Sequence, residues 1–352
     1  RRQYGVRTSP GADGWGGHMI RLYPLFAAGQ LEMMQIALIG LGAGAATALL
    51  FASVKSGALL SILLFYIAPL PILIAALGWS HLAGLIAAIV AALALAVAFG
   101  WTFFLVFLIG VGLPAWWLGY LTMLARPAAD GGTALEWYPP GRLVVWCAVL
   151  GALIVIAAIP TFGTDEQSFT AALRTAFERF IQVSPDRAGR GDALPGVDTA
   201  RIVDFLVMVI PSTAAVLATL TNTLNLWIAA RIVRLSGRLN RPWPDLPAMD
   251  FPKLVAAVLL AAIVTSLFGG LVGIAATVLS ASLLVAFAIL GFAVLHAITR
   301  GRPSRPFLLS GVYAATLMFG WPMLVMTLLG LAEAAFHIRA RAGRKAGPPM
   351  VS

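Results

Sequence analysis

The chain has 352 residues, 60% of them hydrophobic and 11% charged, more apolar side chain than a soluble domain of this length can bury, so most of its solvent must be lipid. The net charge of +10 does not point to nucleic acid, because the basic residues lie between and after apolar runs, where cytoplasmic loops of membrane proteins carry Arg and Lys. The single cysteine, Cys147, lies inside an apolar run, which excludes a disulfide framework and a thiolate metal site.

Residues 1–33 are rich in Gly and Arg without a sustained apolar run and read as a disordered or non-native extension. Residues 34–338 predict an all-α polytopic transmembrane bundle of about ten spans. These fall near 34–54, 57–77, 80–98, 100–124, 142–161, 202–230, 254–272, 274–298, 306–320 and 322–338. The first eight are long enough to cross about 30 Å of hydrocarbon. The last two form either a hairpin turning at Phe319-Gly320-Trp321-Pro322 or one helix kinked at Pro322, which leaves nine spans as the alternative. With ten spans and both termini inside, 18 of the 24 basic residues lie on the cytoplasmic side. Residues 339–352 then read as a basic cytoplasmic tail, and the location as the bacterial inner membrane.

Within the first span, Gly40, Gly44 and Ala48 recur every four residues and make a small-residue face. That face serves internal packing or docks a partner's helix. The overlapping G-x-G-x-x-A pattern is not a nucleotide site, since it lies inside a span. In the second span, Pro69 and Pro71 follow Tyr66 and interrupt the helix. The carbonyls they free need partners, whether neighbours, water or a ligand. Such broken helices make either a simple kink or a midplane substrate site. The outer loop opens with Thr164-Asp165-Glu166-Gln167, read as a capping box. Phe169, Leu173, Phe177, Phe180 and Ile181 then form one stripe of an amphipathic helix over about 165–183. It either covers the bundle or acts as a lid. The sixth span is the most polar. Asn222 and Asn225 share a face there, and either bond to other helices or line a polar cavity. Arg201 and Asp204 are spaced to pair at its outer end. Residues 236–252 hold four prolines and predict an extended inner connector. Glu333 and His337 are spaced to pair on the last helix.

No Walker A motif, H-E-x-x-H or Cys/His cluster occurs, and no Ser, His and acid suggest a hydrolase. The sequence therefore predicts no catalytic residues, no cofactor, no metal and no enzyme activity. The expected partners are the lipid bilayer and other membrane subunits.

Several segments in order resemble one family. They are Tyr66-Ile67-Ala68-Pro69-Leu70-Pro71-Ile72 with Gly78-Trp79; Gly110-Val111-Gly112-Leu113-Pro114 with Gly119; Pro211 and Asn225 with Ala229-Ala230-Arg231-Ile232-Val233; Gly291 to His296; and Leu329-Gly330-Leu331-Ala332-Glu333 before Arg339 and Arg341. Over about residues 34–345 the chain resembles the YybS-like family, bacterial membrane proteins with a domain of unknown function. That family is distantly similar to the substrate-binding S-components of energy-coupling factor transporters. The resemblance implies a small-molecule substrate-binding or transport component with an energy-coupling module on other chains. Tyr66, Pro69, Pro71, Asn222 and Asn225 are then the candidate substrate-binding residues. Two features differ from S-components: the span count exceeds their usual six, and the two asparagines lie toward the inner side. The alternative is a non-transporting scaffold that docks membrane proteins through its small-residue faces and Pro-rich loop.

Overall fold

The computed structural model describes residues 23–127, 135–183, 199–339 and 341. Most of the extension over 1–33 and most of the tail over 339–352 lie outside these residues. Among the described residues, seven helical stretches are long and apolar enough to cross a membrane. Those seven are α1 (Tyr23–Ala52); α2 (Leu59–Tyr66) with α3 (Leu70–Gly78); α4 (His81–Phe99); α5 (Trp101–Phe107) with α6 (Leu113–Thr122); α7 (Pro140–Phe162); α9 (Thr199–Leu235); and α11 (Gly270–Ile298). A single π turn, Leu108–Gly112, joins α5 to α6. The helix α8 (Glu166–Val183) lies between α7 and α9. Three shorter helices are α10 (Lys253–Ser266), α12 (Arg305–Phe319) and α13 (Pro322–Phe336). Two three-residue strands, β1 (Ala125–Pro127) and β2 (Leu135–Trp137), pair antiparallel and set Arg126 opposite Glu136. An exposed 2.8 Å ion pair joins these two.

The helix ends sort into two groups. At the basic end, Arg238 lies over the Trp79 ring, Arg241 reaches the carbonyls of Thr122 and Tyr138, and Arg300 pairs with Asp245. At the opposite end Lys55 sits over Phe99 and Phe103, Arg174 pairs with Asp204, and Glu166 accepts from the Gly270 amide. Since α9 ends at the basic end and α11 starts at the opposite one, the 14 helical residues of α10 connect the two ends. The chain returns again through α12 and α13, because Arg339 donates to the Pro247 carbonyl of the inner connector.

Several boundaries differ from the sequence reading. Helix α1 begins at Tyr23, so residues 23–33 belong to a helix and not to a loose extension. The predicted span 254–272 ends early, at Ser266. Gly269 and Gly270 both take positive φ (71° and 67°), which a β-carbon disfavours, and α11 starts there. Residues 306–320 and 322–338 form two helices and not one kinked helix. At about 1.5 Å per residue, the 14 or 15 residues of α10, α12 and α13 reach only about 21–23 Å. For that reason seven stretches, and not ten, meet the length of a full span.

The amphipathic helix is capped one residue later than expected. The Asp165 carboxylate accepts from the Ser168 amide at 2.8 Å, and Ser168 Oγ accepts from the Asp165 amide at 3.3 Å. These hydrogen bonds hold the Asp165 carboxyl below its usual range. Phe169 and Leu173 are buried against Ile159, Val207 and Ile274, so α8 covers the ends of α7, α9 and α11. The side chains of Phe180 and Ile181 lie outside the described residues.

Small residues set the closest helix contacts. A β-carbon on Gly291 would sit 1.8 Å from the Met326 carbonyl oxygen, and one on Gly330 would sit 1.9 Å from that of Phe287. These two glycines let the backbones of α11 and α13 touch, as small residues do in lipid. Glu333, on α13, is 5% exposed and pairs at 2.9 Å with Arg339, not with His337.

Candidate functional site

The interrupted second span has a clear cause and a clear partner. Pro69 carries no N–H, and the Leu70 amide turns to the Ile67 carbonyl at 3.0 Å. The Tyr66 carbonyl therefore loses its helical donor. Asn225 Nδ2 supplies one from α9 at 2.8 Å, and also donates to the Thr221 carbonyl at 2.9 Å. Pro71 occupies the second position of α3, where a missing amide costs nothing. Thus Tyr66, Pro69, Pro71 and Asn225 meet at one helix junction. Asn222 is 7% exposed, and among the described residues its Nδ2 has no partner. Gly40 and Gly44 lie elsewhere, against α4. A β-carbon there would meet Ile86 Cγ2 at 2.6 Å and the Ala87 carbonyl oxygen at 2.8 Å. Ala48 is buried in the core beside that contact.

A larger feature lies on another face of α9. A cavity of about 680 Å³ opens between α7, α9, α11, α12 and the Pro-rich connector. Cys147, Thr223, Leu226, Ile289 and Tyr313 are among its walls, and Arg241 and Trp243 lie at its basic end. The walls are almost entirely apolar. Asn222 and Asn225 do not line it, nor do Tyr66, Pro69 or Pro71. The sequence candidates and the cavity are therefore separate features of the same bundle.

Arg241 organises the basic end of this cavity. It is 6% exposed; its Nη1 donates to the Thr122 carbonyl at 2.9 Å and its Nη2 to the Tyr138 carbonyl at 2.7 Å. Burial pushes its guanidinium pKa down from the ordinary value, yet an arginine remains charged there. The planar fork ties the end of α6 to Tyr138, two residues before α7. The ring of Trp243 lies beneath two further arginines, with Cζ of Arg234 at 4.9 Å and of Arg231 at 5.4 Å from its centroid. The nearby carboxylates face other arginines: Asp245 pairs with Arg300 at 2.5 Å, and Asp250 lies 3.9 Å from Arg339. The rim therefore carries an excess of positive charge.

Sequence reasoning counted Arg241 among the basic residues and read the connector as a spacer, without seeing that the two build a cavity wall. The available signal was the run Arg241-Pro242-Trp243-Pro244, a stiff stretch with a cation and an aromatic at a membrane boundary. Among the described residues, no group of three or more His, Cys, Asp or Glu side chains is placed to hold a metal ion.

A bundle of apolar helices that alternates between a basic and a less basic end, with apolar side chains facing outward, is a polytopic helical membrane protein. The chain belongs to the family described as "Predicted membrane protein (DUF2232)", whose model matches residues 45–333. The match runs from α1 to Glu333 and spans every wall of the cavity. No curated protein and no solved structure matches the chain.

Proposed function

We propose that this protein is a small-molecule substrate-binding component of a membrane transport system, and that its site is the cavity between α7, α9, α11 and α12. The observation that carries this reading is the cavity itself. Its volume of about 680 Å³ falls within the usual range for ligand sites, about 300–1,000 Å³, and its mainly apolar wall with a few polar groups is their usual chemistry. The resemblance to S-components supports the same reading and adds an energy-coupling module on separate chains as partner. Positive charge concentrates on cytoplasmic loops. The basic end is accordingly the cytoplasmic one, in a bacterial inner membrane. The short helices α10, α12 and α13 complete ten crossings, with both termini inside.

The scaffold alternative draws on two features that the fold already uses internally. The face of Gly40 and Gly44 is filled by α4, and the connector is held by Arg339 and by the buried Met249 and Phe251. Purification in mild detergent followed by mass spectrometry tests the proposal. A retained apolar small molecule, lost when Ala230→Trp fills the cavity, is the expected result. Co-purifying membrane proteins with neither an ATPase module nor a ligand in any preparation would overturn it in favour of the scaffold.

A further inference from the structure

We infer that the ligand is an acidic amphiphile, with a single acyl or isoprenoid chain in the cavity and a phosphate or carboxylate head at the arginine rim. This deepens the transport reading and rests on the cavity being the binding site. Three observations carry it. The wall offers almost nothing but carbon, so the enclosed part of the ligand makes no hydrogen-bonded network and is hydrocarbon. The charged groups gather at one end, where Arg241 and Trp243 line the wall and Arg231 and Arg234, just outside it, lie over the Trp243 ring. That end has charge to spare, because Asp245 and Asp250 are engaged by Arg300 and Arg339.

The geometry fits a head bound at the rim. Arg231 and Arg234 are exposed, and each holds its guanidinium over the Trp243 face. A guanidinium held over a ring by cation–π attraction keeps N–H groups free to donate to a phosphate or carboxylate. Arg241 is different. Its two terminal nitrogens are committed to backbone carbonyls, so it contributes field and not a ligand contact. An amphiphile already in the leaflet at the basic end needs only to slide its chain between α9 and α12. Leu224 and Leu317 border that approach and are exposed.

The probes are oleoyl lysophosphatidic acid, oleoyl lysophosphatidylcholine and inorganic phosphate, titrated by native mass spectrometry into the full chain in dodecyl maltoside. The acid lipid should bind as one copy, about tenfold or more tighter than the choline lipid of equal chain, and phosphate alone should not bind. The double variant Arg231→Gln/Arg234→Gln should bring the acid lipid down to the level of the choline lipid and leave the latter unchanged. Ala230→Trp or the milder Thr223→Phe should weaken both lipids, with thermal unfolding confirming a folded protein. Equal affinity for the two lipids, or no effect of the arginine pair, overturns the inference. If a neutral molecule is retained instead and the filled variants expel it, the cavity reading stands and only the acidic class falls. If the filled variants bind every probe as the parent does, the cavity reading falls as well.

Discussion

The Asn225 amide and the Tyr66 carbonyl, 159 positions apart, are joined by a 2.8 Å hydrogen bond that replaces the donor lost when the Leu70 amide turns to Ile67 at the Pro69 break. A carbonyl stranded in the apolar interior costs about 1–3 kcal/mol, so the bond accounts for both a polar residue in α9 and a broken helix before α3. The interruption and its remedy come from different parts of the chain and form one unit.

Asn225→Leu should therefore destabilise the protein by about 1–2 kcal/mol, through loss of that donor. Asn222→Leu should be neutral or stabilising, because no partner satisfies its Nδ2 among the described residues. Thermal unfolding of the two variants in detergent decides it. Equal losses would show that the amide–carbonyl bond is not the relevant interaction.

Gly291→Ala and Gly330→Ala should each force α11 and α13 apart. A methyl group 1.8–1.9 Å from a carbonyl oxygen is not tolerated without backbone movement, and overpacking costs about 1–3 kcal/mol or more. Gly42→Ala is the control. It has open space within 4 Å and should hold stability or raise it, since alanine is the better helix former. If all three behave alike in folded yield and melting temperature, the close crossing does not hold the fold.

Arg241→Gln should cost about 1.5–3 kcal/mol, the worth of hydrogen bonds from a charged donor to two carbonyls. Arg241→Lys should recover less than half of the loss, because a single ammonium cannot reproduce the planar fork. Full rescue by lysine would mean that charge alone matters at this position.

Asp165 gives a pH prediction. Its carboxyl is held below the usual range by Ser168, so the cap contributes above the unfolded value, about 3.9, and is lost as pH falls through the folded value. The protection of amides at the start of α8 against exchange, relative to their intrinsic rates, should fall below about pH 4. In Asp165→Asn the cap persists and that pH dependence should vanish. An unchanged profile in this variant would assign the effect to another group.

Topology is checked by reporter fusions at Gly347 and Arg190. The first should report from the cytoplasm and the second from outside; an outside signal at Gly347 sinks the ten-crossing arrangement.

Composition and periodicity alone determined the membrane class, the helical content, the amphipathic helix at 165–183 and the break at Pro69. Each depends on local properties: apolar run length, 3.6-residue spacing, and the absence of an amide on proline. Tertiary structure alone decided the rest. It settled which carbonyl Asn225 serves, where the glycine crossings fall, that Glu333 chooses Arg339 over His337, and that the connector after α9 walls a cavity. These depend on which helix faces meet. Lipid-soluble helices present nearly uniform apolar surfaces, so hydrophobic pattern carries little information about their neighbours, and close packing with a few polar bonds makes the choice.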